Sequence, residues 1–170
     1  MFRRILVATD LTAQASVALR LARVQAATHG AAIVVAHVLS MPAELRRWGG
    51  QLFRDDTKTY DALLERQRGA AEQTLARQVA AAKLVSPRGV RLVVRTGNPP
   101  EVLAALVDEV DADLVIVARG RGGKLGPVAE QLVRLVGRTV MVAPVKLPPS
   151  IARGIPQPVA KPTRRRRAAA

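Results

Sequence analysis

Apolar residues along this chain fall into two alternating patterns: short unbroken runs, and longer stretches in which they return every three or four positions. Ile5-Leu6-Val7-Ala8 is a run that stops at the polar set Thr9-Asp10-Leu11-Thr12, after which Ala13, Val17, Leu21 and Val24 recur at helical spacing. An unbroken run suits a strand buried on both faces and the second pattern suits an amphipathic helix, so the opening predicts strand, turn, helix. Thr12 is the expected N-cap, since its side-chain oxygen can accept from a free N–H of the first turn, and Gly30 after His29 is the expected stop. Ile33 through Leu39 gives a second buried strand and closes a strand-helix-strand unit that should cross over right-handed.

From Met41 to Phe53 the pattern is irregular, with Pro42, Gly49 and Gly50 around Trp48, which predicts a loop. A long helix follows with Tyr60, Leu64, Ala71, Leu75 and Ala82 on one face and a weak interruption at Gly69. Val90 to Arg95 reads as the third strand. Pro99-Pro100-Glu101 opens a helix with proline in its first turn, and Val102, Leu106 and Val110 mark its buried side. Leu114 to Ala118 is the fourth strand, and a glycine-rich turn from Arg119 to Gly126 leads into a helix expected to turn Val128, Leu132 and Leu135 inward. Val140-Met141-Val142-Ala143 supplies the fifth strand.

Strands and helices alternate throughout, which predicts an α/β domain over residues 1–147 built on an open five-stranded parallel sheet with helices on both faces. Past that point Pro148, Pro149, Pro156, Pro158 and Pro162 accumulate among few apolar residues. Such a stretch cannot offset its ordering entropy by burial, so residues 148–170 are expected to form a disordered basic tail.

Composition sharpens this picture in three places. Phe2, Trp48, Phe53 and Tyr60 are the only Phe, Trp or Tyr residues, so the core must be filled by Val, Leu, Ile and Ala, as suits a parallel sheet covered by helices. There is no cysteine, which removes disulfides, thiolate nucleophiles and cysteine metal sites together. The basic pair Arg3-Arg4 precedes an apolar run that stops at Asp10, too short for a signal-peptide core, and no later stretch approaches the roughly 18 apolar residues of a membrane span, so the cytoplasm is the expected address.

The net charge is +14; Arg153, Lys161, Arg164, Arg165, Arg166 and Arg167 carry six of it, leaving +8 on the residues before Pro148. Basic charge favours polyanions in general and identifies none. With no aromatics among Arg164, Arg165, Arg166 and Arg167 to stack on bases, a solubilising tail is favoured over a nucleic-acid contact.

In an open parallel sheet, ligands bind beyond the carboxyl ends of the strands where strand order reverses. That rule selects two turns. One holds Asp10, which either meets a ribose hydroxyl or a metal, or only shapes its own turn. The other holds Gly120, Gly122, Gly123 and Gly126 ahead of a helix, where free N–H groups suit a phosphate and Arg119, Arg121 and Lys124 add charge. The bland alternative is that these glycines merely permit a tight turn. The stronger phosphate motifs fail. Ala118 through Lys124 has the length of a P-loop but begins with alanine and continues with Leu125 where a hydroxyl should hold magnesium, and Gly120-Arg121-Gly122 lacks the third glycine of a dinucleotide fingerprint. His29 and His37 have no partner at metal-ligand spacing, and Ser16 has no elbow motif, so neither a metal site nor nucleophilic catalysis is expected.

The segments Ile5-Leu6-Val7-Ala8-Thr9-Asp10-Leu11-Thr12, Gly30 to Val38, Gly97-Asn98-Pro99-Pro100-Glu101-Val102-Leu103, and Asp113 to Ala118 with Gly120-Arg121-Gly122-Gly123 together resemble the universal stress protein family, in order, over roughly residues 2 to 145. The resemblance implies a Rossmann-like sheet of the adenine-nucleotide alpha-hydrolase type with strand order 3-2-1-4-5, and a non-catalytic stress-response module that pairs with a second copy through Val140, Met141, Val142 and Ala143. Members that bind ATP use an aspartate after the first strand, a backbone contact after the second, and a loop of the form Gly, two residues, Gly, nine residues, Gly, then Ser or Thr. Those roles fall on Asp10, Val38, Gly120 and Gly126, with Ala8, Thr9, Gly122 and Val128 beside them. The departures are large: Ala118 stands where the first glycine belongs, only Arg119 lies between it and Gly120, five residues separate Gly120 from Gly126, and Pro127 occupies the hydroxyl position. Proline removes both a hydroxyl and a backbone donor. The expectation is weak or absent ATP binding, with AMP or a smaller anion still open, on a retained fold.

Overall fold

A computed structural model describes residues 1–40, 57–120, 123–149 and 151. The elements in chain order are β1 (Arg4–Ala8), α1 (Ala15–His29), β2 (Ala32–Leu39), α2 (Thr57–Ala81), β3 (Val90–Thr96), α3 (Pro99–Glu109), β4 (Leu114–Ala118), α4 (Pro127–Leu135) and β5 (Thr139–Ala143). The five strands form one sheet in the order β3-β2-β1-β4-β5, and every neighbouring pair is parallel. This is the expected architecture and strand order. The loop expected between Met41 and Phe53 lies outside the described residues, as does nearly all of the expected tail.

Alternation along the strands divides the core in two. Ile5 and Val7 of β1, Ile33 and Val35 of β2, and Leu114 and Ile116 of β4 face α1 and α2, where Leu19 and Leu75 are fully buried. Leu6, Val34, Val93 and Val115 face the opposite way, onto Leu103 and Leu106 of α3 and Leu132 of α4. Phe2 packs edge-on against the His29 ring, 5.0 Å between centroids, where α1 ends. The chain still touches the first core after β5, through buried Leu147 and half-buried Ile151.

Several local expectations hold and several need correction. Gly30 closes α1 in the left-handed conformation (φ 65°), its N–H donating to Ala26 O. Thr12 is not the N-cap of α1. The helix begins at Ala15 after Gln14, and the Thr12 hydroxyl instead donates to Asp10 Oδ1. The buried stripe of α1 is Ala15, Ala18, Leu19, Ala22 and Ala26 with Leu21, while Ala13 is exposed and Val17 and Val24 are half-buried. Small side chains on that stripe let the helix axis approach the sheet. Gly69 does not interrupt α2, whose Ala71 and Leu75 are buried as expected. In α4 Leu132 is fully buried and Val128 half-buried, but Leu135, the last residue of the helix, is 54% exposed.

The turn from β3 into α3 holds the tightest backbone position. Gly97 has φ 146°, and a Cβ there would stand 2.8 Å from Val102 Cγ2. Both facts demand glycine. Among the described residues no helix is long and apolar enough to cross a membrane.

Candidate functional site

Strand order reverses between β1 and β4, so the two loops leaving their carboxyl ends part in opposite directions and leave a cleft between them. Ala8, Thr9, Asp10, Val38, Gly120, Gly126 and Val128 all line this one cleft, whose volume is about 420 Å3. Gly122 lies outside the described residues. Arg119, expected to add charge to the loop, lines it too, as do His37, Ser40, Pro99 and Leu103, which the sequence did not single out for the site.

The β1–α1 loop is held by hydrogen bonds that leave little slack. Thr9 is 6% exposed, and its backbone N–H continues the ladder to Ala36 O at 2.9 Å. Its hydroxyl accepts from Leu11 N–H at 3.0 Å and donates to Gln78 Oε1 at 3.2 Å, while Gln78 Nε2 donates to Thr12 O at 3.0 Å. A single α2 side chain therefore clamps both ends of the turn. The sequence carried a signal for it: Ala71, Leu75 and Ala82 form an apolar stripe at spacings of four and seven, and position 78 is the one polar residue on it. Leu11 sits at φ 61°, an uncommon conformation for leucine that these bonds enforce.

Asp10 shapes its own turn. Its Oδ1 accepts from Thr12 N–H at 3.0 Å and from the Thr12 hydroxyl at 2.6 Å, an Asx-type turn. Its Oδ2 is not used by these bonds, and the residue is exposed at the cleft mouth. On the neighbouring strand the His37 ring lies with Nδ1 2.8 Å from Thr9 O. A carbonyl only accepts, so Nδ1 carries the proton and Nε2 of the neutral ring is left as an acceptor.

Across the cleft, the glycine loop satisfies much of its own backbone. Gly120 N–H donates to Lys124 O at 2.9 Å, Gly123 N–H donates to Gly120 O at 3.2 Å, and Arg119 Nη1 donates to Gly123 O at 2.8 Å. The Gly120 N–H is thus turned into its own loop. Gly126 is the N-cap of α4 in extended conformation and Pro127 is the first helical residue, so Val128 and Ala129 supply the first-turn N–H groups that the helix itself does not use. They sit at the positive end of the helix dipole, and both residues line the cleft. Glu130 in the same turn carries the opposite sign.

The cleft therefore offers an apolar floor of Val38, Leu103 and Val117, an acceptor edge at Asp10 and His37, and two backbone donors with Arg119 nearby. Among the described residues no group of three His, Asp or Glu side chains stands where it could share a metal ion.

The sequence model of the universal stress protein family matches residues 1–144. No curated protein matches the chain. Among solved structures, a universal stress family protein from Burkholderia pseudomallei is 26% identical, the match covering 83% of this chain and 95% of that one at a TM-score of 0.52. A universal stress protein in complex with cAMP is 22% identical over 85% of this chain and 98% of its own, TM-score 0.55. The universal stress protein from Archaeoglobus fulgidus in complex with dAMP is 22% identical over 83% and 97% of the two chains, TM-score 0.50.

Proposed function

Since the chain belongs to the universal stress protein family, we propose that it is a non-catalytic regulatory module of the cytoplasm whose cleft takes an adenine nucleotide carrying a single phosphate, and takes ATP poorly. The observation that carries this reading is the state of the phosphate cradle: Gly120 N–H is bonded to Lys124 O, and Pro127 removes the first donor of α4. On the helix itself the free donors are the N–H pair of Val128 and Ala129, which suits one phosphate group. The apolar floor and the Asp10 and His37 acceptors suit the base and ribose ends. Two structural relatives hold mononucleotides of this size, cAMP and dAMP, which supports the same ligand class here.

The non-catalytic part rests on how the polar side chains are spent. Asp10 Oδ1 is committed to Thr12, and His37 Nδ1 to Thr9 O. The one hydroxyl on Asp10, that of Thr12, is part of the same turn, and His37 is paired with no hydroxyl among the described residues. A homodimer through β5 belongs to the same proposal, because among the described residues that strand bonds only to β4, at the edge of the sheet, and its Val140, Met141 and Val142 are half-buried.

Calorimetry with AMP and ATP on the full chain, beside Pro127→Ser and Asp10→Ala, tests the reading. The expected result is that AMP binds at least as tightly as ATP, that Pro127→Ser improves ATP more than AMP, and that Asp10→Ala weakens both. Micromolar ATP binding by the native chain, lost in Asp10→Ala, would overturn the claim that the cradle is reduced.

A further inference from the structure

A second cleft, of about 430 Å3, lies on the α1 and α2 side of the sheet, away from the nucleotide crevice. Its charged walls are Arg20 and Arg23 of α1, Lys83 just past the end of α2, and Lys146 after β5, and no acidic side chain lines it. This is not a local accident. Each contributing segment is drawn from a stretch of sequence without any Asp or Glu: residues 11–43, 73–100 and 131–170. Arg20 and Arg23 stand three residues apart and so share one helix face. Among the described residues none of the four cations makes a salt bridge, whereas Arg3, Arg68, Arg91, Arg95 and Arg138 all do.

One atom makes the cleft more than a basic surface. Nε of Arg23 is buried and has no hydrogen-bond partner among the described residues. A buried guanidinium donor without an acceptor is costly, and native structures fill such a place with water or an ion. The floor, half-buried Val17 with buried Ala82 and Leu147, excludes water from one side and strengthens any charge-assisted bond made above it.

We infer that this cleft is an anion site for an oligophosphate, a ligand with several oxygens and several negative charges, held by the two guanidinium forks and the two ammonium groups, with Arg23 Nε at its base. A single carboxylate would leave most of these donors and charges unmatched, while a linked row of phosphates meets all of them. The proposal is independent of the nucleotide reading, because no residue is shared between the two clefts.

The test is titration of the full chain with inorganic tripolyphosphate at about 150 mM salt, where long-range attraction is largely screened. It is followed by calorimetry and by the arginine Nε–H resonances in 15N-labelled protein. The expected result is one site, a displaced Arg23 Nε–H signal, and roughly tenfold or greater weakening in the double variant Arg20→Gln, Lys83→Gln, whose two exposed side chains are not needed for folding. Arg23→Lys, which keeps the charge and loses Nε, should weaken binding as well and serves to assign the signal. A variant with Arg164, Arg165, Arg166 and Arg167 all changed to alanine should bind as the native chain does, and saturating AMP should not compete. Binding that disappears with the four tail arginines but survives Arg20→Gln, Lys83→Gln would overturn the proposal, as would an Arg23 Nε–H signal that does not move at saturation.

Discussion

Replacing Gln78 by leucine is the most searching test of how the site loop is held. Gln78 makes two hydrogen bonds to the β1–α1 loop, accepting from Thr9 Oγ1 at 3.2 Å and donating to Thr12 O at 3.0 Å, and it does so from a half-buried position on the apolar stripe of α2. Leucine fills nearly the same volume, so packing is largely preserved and the change isolates the two bonds. Each is worth about 0.5–1.5 kcal/mol net, and the Thr9 hydroxyl proton, in a residue only 6% exposed, loses its acceptor. The expected loss is about 2 kcal/mol, which at an m-value of roughly 2 kcal/mol per molar lowers the urea midpoint by about 1 M.

Because the Thr9 hydroxyl also accepts from Leu11 N–H, Thr9→Val alone would mix two effects. A double-mutant cycle of Thr9→Val with Gln78→Leu removes the Leu11 contribution and should give a coupling of about 0.5–1.5 kcal/mol. AMP affinity should fall alongside stability, since Asp10 sits inside the loop that is released. A midpoint shift below about 0.3 M together with zero coupling would refute the clamp.

Three further outcomes are expected. Gly97→Ala should destabilise the fold by about 1–3 kcal/mol in urea melts, because φ 146° is strained for any side chain and Val102 Cγ2 lies 2.8 Å from the new carbon. Leu132→Ala, which empties a fully buried place between α4 and the sheet, should cost about 2–5 kcal/mol in the same assay. Val140→Lys, on the open β5 edge, should convert a dimer to a monomer by light scattering with little change in urea midpoint; a native chain that is already monomeric at high concentration contradicts pairing through this strand.

The strands were legible in the sequence because central strands of a parallel sheet are buried on both faces. Leu114–Ala118, between Asp113 and Arg119, and the run from Ile5 to Ala8, after Arg4, are continuous apolar runs, the pattern of a strand buried on both faces. The helices were legible in number but not in rotation. Nine of the fifteen positions of α1 are apolar, and a stripe through Val17 and Val24 and one through Ala15, Leu19, Ala22 and Ala26 are equally periodic. Which of them faces the sheet is decided by how closely the axis can approach, which favours alanine and is a property of the packed state. The site was legible in its positions, since Asp10, Val38, Gly120 and Gly126 do meet at one cleft. It was not legible in its hydrogen bonds. Spacing alone placed a free N–H at Gly120, and the folded loop spends that donor on Lys124 O.

That last difference has an energetic meaning. A glycine loop that waits for phosphate leaves its N–H groups pointing outward, costly in the empty state and repaid on binding. Here the Gly120 and Gly123 N–H groups are bonded within the loop, to Lys124 O at 2.9 Å and to Gly120 O at 3.2 Å, so these two donors are already spent in the empty loop. A triphosphate reaching Gly120 must first break one such bond, at about 0.5–1.5 kcal/mol, a penalty of roughly threefold to tenfold in affinity before any contact is gained. A single phosphate seated on Val128 and Ala129 breaks none. On the proposed reading, discrimination between mono- and triphosphate would follow from a loop that bonds to itself, with Lys124 O within reach of the Gly120 N–H.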